Sequence, residues 1–124
     1  MPEALNRDFS SHYQRQFSDI YITMIRTGII EGAGFTGGEL IRLLLNHPDV
    51  HLIFITGRGN SGQYIHEVHR GLYGETDLQF AEEPELDKID LLFLCTDAEE
   101  SRQFMQSHEI PERLKIIDFS REFR

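Results

Sequence analysis

Three glycines, Gly32, Gly34 and Gly37, stand in the spacing G-x-G-x-x-G. A short apolar run, Ile25 to Ile30, leads into them, and a segment of helical periodicity follows. A strand, a glycine turn and a helix N-terminus in that order can bind phosphate. The bare α-carbons let the main chain approach the oxygens, and the helix dipole favours negative charge. Phe35 and Thr36 would present the first N–H groups of the helix. A purely structural glycine turn is the alternative, and the strand-before, helix-after context weighs against it. The Lys-Ser/Thr pair of an ATP- or GTP-binding loop is missing, so a dinucleotide fits better than a nucleoside triphosphate.

The end of the second strand chooses between dinucleotides. A carboxylate about 20 residues past the glycines selects NAD by bonding the ribose 2′-hydroxyl. Here the sequence reads Ile55, Thr56, Gly57, Arg58. A guanidinium suits a 2′-phosphate through charge-assisted hydrogen bonds, so NADP is expected, with Asn60 and Ser61 assisting Arg58. An ordinary surface arginine is the plainer alternative. His66 and His69 are three apart in His-Glu-Val-His, not the i, i+4 pair of a helical zinc site, so no metal is expected and the two read as solvated loop histidines. Cys95 lies inside a predicted buried strand, where packing is the expected role.

The elements that must position these residues follow from periodicity. Ile25 to Ile30 predicts a central parallel strand buried on both faces. A helix is expected from about Thr36 to Asn46, opened by a Thr36–Glu39 capping box and packed through Leu40, Leu43, Leu44 and His47. Pro48 stops it. Leu52 to Thr56 predicts the second strand. The stretch from Gly57 to Asp77 has no sustained period, which in a compact domain marks a functional or disordered loop. Leu78 to Phe80 reads as a short strand, and Glu82 to Asp90 as a solvated turn. Asp90 to Thr96 predicts a buried strand, Ala98 to His108 a helix with Phe104 and Met105 inward, and Lys115 to Phe119 a last strand. The fold class is therefore α/β: a single-domain, Rossmann-like doubly wound parallel sheet, with its ligand at the carboxyl ends of the strands. Residues 1–23 form an N-terminal extension. Phe9, Tyr13, Phe17 and Tyr21, four apart, leave a docked helix and a disordered leader both open, and Met24 begins the domain proper at 24–124.

The 124 residues suffice for one domain with its own core. The net charge of −9 argues against a nucleic-acid partner. No run is long and apolar enough for a membrane span, and the start has no secretory h-region. One cysteine precludes an internal disulfide and fits a cytoplasmic location. A homo-oligomer stays open.

The run from Gly34 to Pro48, Gly-Phe-Thr-Gly-Gly-Glu-Leu-Ile-Arg-Leu-Leu-Leu-Asn-His-Pro, resembles the nucleotide-binding turn and first helix of N-acetyl-γ-glutamyl-phosphate reductase. Three further stretches agree in order and spacing: Arg58 to Gly62, Glu67 to Leu72, and Ile117 to Arg124. The resemblance runs from about Met24 to Arg124. It implies an oxidoreductase of arginine biosynthesis that uses NADPH to reduce an acyl phosphate to a semialdehyde through a cysteine thioester. It also implies that the thioester-forming cysteine lies beyond this chain's last residue, so that the chain alone is inactive. In that family the loop around His69 lies near the cofactor side, which makes His69 a candidate contact.

This chain departs from the family at the turn and after the fourth strand. Glu31 stands where the family has glycine. It would strain a left-handed backbone and repel a pyrophosphate, weakening or abolishing NADP binding. Ala98 and Glu99 stand where a His-Gly pair is common, and Gly59 replaces a serine. These changes favour a second reading, a non-enzymatic remnant serving as an interaction or dimerisation module. A nucleotide domain for another small ligand is the third.

Overall fold

The computed structural model describes residues 24–120. The aromatic series before Met24 lies outside the described residues. The chain runs β1 (Ile25–Ile30), α1 (Phe35–Leu45), β2 (Val50–Ile55), α2 (Ile65–Val68), β3 (Leu91–Leu94), α3 (Ala98–Ser107) and β4 (Lys115–Asp118). Single 3-10 turns at Arg70–Leu72 and Leu86–Lys88 interrupt the long connection between β2 and β3.

All four strands are parallel, in the order β2-β1-β3-β4. Ile25 sits opposite Val50 and Ile29 opposite Ile55, with a bulge between Thr27 and Gly28. Successive side chains of a strand face opposite sides of the sheet, and here each side has its own core. Ile29 and Ile55 pack with Ile41 and Leu44 of α1, Ile65 of α2, and Phe80. Ile30, Phe54, Leu92 and Leu94 pack with Phe104 of α3, Leu86, Ile89 and Leu114. Helices on both faces of a parallel sheet make the doubly wound α/β architecture expected from the sequence. Strand order reverses between β1 and β3, which opens a crevice at their carboxyl ends.

Several local expectations need correction. Helix α1 starts one residue before Thr36, with Gly34 as N-cap and no side-chain cap at all. The Thr36–Glu39 box therefore does not form, and Glu39 pairs instead with Arg42 one turn on. The buried stripe is Gly37, Ile41 and Leu44, while Leu43 is 62% exposed and His47 lies on the surface. Gly37 explains the rotation: its bare α-carbon lets the helix lie against the turn, and the positions four and seven residues on must then face the sheet. In α3, Phe104 is buried but Met105 is 43% exposed. Its inward partner is Ser101, whose hydroxyl donates to Asp118 at 3.0 Å and accepts from Thr96 at 2.6 Å. Leu78 to Phe80 makes no full strand. Gln79 forms a bridge with Tyr64, and Ala81 one with Thr56 at the outer edge of β2. The stretch from Glu82 to Asp90 is not simply a solvated turn, since Leu86 and Ile89 are buried in the core.

Candidate functional site

The end of β1 feeds the glycine turn. Glu31 adopts φ 64°, the left-handed region that L-residues enter at a cost of about 1–2 kcal/mol. The conformation is held from the end of β2. The Glu31 N–H donates to the Thr56 hydroxyl at 3.3 Å, the Gly32 N–H donates to the Thr56 carbonyl at 2.8 Å, and the Thr56 N–H returns to the Ile29 carbonyl at 2.9 Å.

Gly37 then closes the turn. A Cβ at this position would lie 2.5 Å from the Gly32 α-carbon and 2.6 Å from its carbonyl carbon and oxygen. Gly34 is the opposite case: it is exposed, and a Cβ there would meet nothing within 4 Å. With no side chain capping α1, its first N–H groups keep their capacity for an external acceptor. Helix α3 differs, because its own Asp97 and Glu100 form a reciprocal capping box. Phe35 and Thr36 occupy the first turn of α1, and the Phe35 ring is 84% exposed.

Two of the cavities among the described residues bear on the site. One, of about 340 Å³, is lined by Glu31, Thr56, Gly57, Arg58, Ser61, Glu82, Glu83, Phe104 and His108 among others. The other, of about 250 Å³, lies at the switch point between Thr36, Cys95, Thr96, Asp97, Phe119 and Ser120. Arg58 and Ser61 both line the larger cavity. Asn60 does not line it; its amide donates to Gln63 at 2.7 Å.

Arg58, in the larger cavity, is already engaged by two carboxylates. The Arg58 guanidinium donates to Glu100 at 2.6 Å, although the arginine side chain is 74% exposed. The Arg58 backbone N–H donates to the Glu31 carboxylate at 2.8 Å. Glu31 therefore turns toward the end of β2, where the sequence had suggested repulsion at the pyrophosphate.

The histidines are not simply solvated. His69 Nε2 donates to the Gly32 carbonyl at 2.7 Å, and the ring lies against Gly38. His66 stacks on Tyr64, with centroids 5.1 Å apart. The stretch that looked structureless thus contains α2 and a 3-10 turn, and its histidine braces the turn from below. Cys95 packs against the core, and burial pushes its thiol up to about 11. Sequence reasoning did not find the contacts of Thr56 with Glu31 or of Glu100 with Arg58, because those partners lie 25 and 42 positions away. Among the described residues no helix is long and apolar enough to cross a membrane.

Residues 26–124 match the model of the semialdehyde dehydrogenase NAD-binding domain family. N-acetyl-γ-glutamyl-phosphate reductase of Bacteroides thetaiotaomicron is 56% identical over 101 residues, which are 82% of this chain and 31% of that protein. The reductases of Phocaeicola vulgatus and Parabacteroides distasonis are each 58% identical over the same shares. The chain thus spans about a third of the length of the curated relatives it matches. A crystal structure of aspartate semialdehyde dehydrogenase with NADP from Candida albicans superposes with a TM-score of 0.66, at 19% identity, over 81% of this chain and 30% of the other. The glycine turn, the parallel sheet and the family match agree, and the chain belongs to the semialdehyde dehydrogenase NAD-binding domain family.

Proposed function

We propose that residues 24–124 are the NADP(H)-binding domain of an N-acetyl-γ-glutamyl-phosphate reductase-like protein. One observation carries the reading: the helix beside the glycine turn has no cap of its own, and Gly34 lies open in front of it. The pyrophosphate would rest on the backbone of Gly32, Gly34 and Gly37, facing the N–H groups of Phe35 and Thr36. Arg58 and Ser61 would meet the 2′-phosphate, with Asn60 joining once its amide leaves Gln63. Phe104 and His108, stacked at 4.1 Å in the cavity wall, would flank the adenosine half.

NADPH would supply the hydride for reduction of an acyl phosphate to a semialdehyde. Thioester formation needs a thiolate. The chain's single thiol, Cys95, is protonated at neutral pH and packed against the core, so these 124 residues bind cofactor without turnover. A free thiol of this kind persists in a reducing cytoplasm. The remnant reading is favoured by the internal pairing of Arg58 with Glu100 and with Glu31.

Calorimetry at low salt separates the two readings. NADP⁺ binding at about micromolar Kd is the expected result. Silence at millimolar NADP⁺ and NAD⁺ would leave the remnant reading. Mixing the chain with NADPH and N-acetyl-γ-glutamyl phosphate should show no oxidation of the cofactor, and real turnover would overturn the role given to Cys95.

A further inference from the structure

We propose that Glu31 sets the domain's discrimination between dinucleotides with and without a 2′-phosphate, and that it weighs against the phosphate. The proposal rests on the cofactor reading above and adds a specificity determinant to it.

Carboxylates that select the ribose 2′-hydroxyl ordinarily stand at the end of the second strand. That place here belongs to Arg58, which by itself suits a 2′-phosphate. Glu31 brings a carboxylate to the same strand end from the neighbouring strand. Its Oε1 accepts the Arg58 N–H at 2.8 Å, and it lines the cavity that also holds Ser61. The N–H donor at this strand end is thereby taken, and a negative charge stands within reach of any phosphate that Arg58 would hold. Glu100 also accepts one N–H of the Arg58 guanidinium at 2.6 Å and so competes with a phosphate for it. Glu82 and Glu83 line the same cavity, so Arg58 shares it with three carboxylates. A neutral ribose meets none of this repulsion, and its 2′-hydroxyl can donate to the Glu31 carboxylate. The left-handed backbone at Glu31 would suit glycine better, yet its side chain makes a contact that glycine cannot.

A unit charge and a phosphate about 6 Å apart, in partly screened surroundings, shift a binding equilibrium by about tenfold to thirtyfold. The test measures Kd for NADP⁺ and for NAD⁺ by calorimetry on the full chain, its E31G and E31Q variants, and E100Q. The side-chain amide that E100Q introduces still has a carbonyl oxygen to accept the Asp97 N–H, so the cap of α3 survives in that variant. Thermal melts show that each variant folds, and E31G removes a left-handed non-glycine residue. The NADP⁺ over NAD⁺ affinity ratio should rise about tenfold or more in E31G and about threefold in E31Q and E100Q. A merely structural role for Glu31 would move both affinities together and leave the ratio alone. A ratio within about twofold of wild type in both Glu31 variants, with NADP⁺ still bound, would overturn the specificity role while the cofactor reading stands. Failure of all four proteins to bind either dinucleotide would overturn the cofactor reading and this proposal with it.

Discussion

Gly34→Ala isolates the contact on which the proposed binding site depends. Gly34 has φ −80° and ψ −177°, a conformation that alanine adopts freely, and a Cβ there meets no atom within 4 Å. Loss of chain freedom in the unfolded state stabilises the variant by about 0.4–1 kcal/mol. The poorer N-cap offsets that gain by a similar amount. Net stability should stay within about 0.5 kcal/mol, or about 4 °C in Tm for a domain of this size. Binding should suffer far more. A methyl group in front of the uncapped helix holds phosphate oxygens away from its first N–H groups and weakens two charge-assisted hydrogen bonds of about 1.5–3 kcal/mol each. Partial loss of both comes to about 2–4 kcal/mol, roughly two decades in Kd. Gly37→Ala is the control, because its Cβ would strike the Gly32 backbone at 2.5 Å, where no flexible side chain can yield. Overpacking there should cost about 1–3 kcal/mol and lower Tm along with affinity. Calorimetry with NADP⁺ and parallel thermal melts read both quantities. A Gly34→Ala protein that melts like wild type and binds NADP⁺ equally well would refute the idea that the pyrophosphate rests on this backbone.

Three further outcomes are expected. His69→Ala removes the donor to the Gly32 carbonyl and should loosen the turn, weakening NADP⁺ about tenfold for a hydrogen bond worth about 1 kcal/mol or slightly more; calorimetry reads the change. The Cys95 thiol, raised to about 11 by burial, should resist alkylation in the native state at pH 8 and react quickly once unfolded. Because its folded pKa is raised, the associated stability is complete below about pH 9 and disappears as pH climbs through about 11. Asp90 is held down to about 2 by the Arg26 guanidinium, which donates at 2.8 and 3.0 Å. Its contribution is present above about pH 4 and is lost as pH falls through about 2. Asp90→Asn should therefore lower Tm at pH 7, by an amount that screening at this part-exposed site limits to about 1 kcal/mol, and the difference should close on acidification.

The long periodic elements were legible in the sequence because burial on both faces leaves near-continuous apolar strands such as Leu91–Leu94. The glycine turn was legible because its spacing has a steric cause. Helix faces were less so. A stripe led by Gly37 carries no hydrophobic signature at its first position, and Ser101 is buried for its hydrogen bonds rather than for apolarity. The Thr36–Glu39 pattern fits a capping box in composition, yet capping needs Thr36 to precede the helix and it lies inside. The contacts that engage Arg58, from Glu31 and from Glu100, join residues 27 and 42 apart and exist only once the sheet has formed.

Thr56 gives the two ends of the proposed cofactor cleft a shared support. One residue accepts N–H groups from Glu31 and Gly32 through its hydroxyl and carbonyl, while its own N–H is tied back into β1. A displacement where the adenosine half would lie must therefore be felt where the phosphates would lie. Substitutions at the two ends should not combine additively, and whoever redesigns one end of the cleft will have to re-optimise the other.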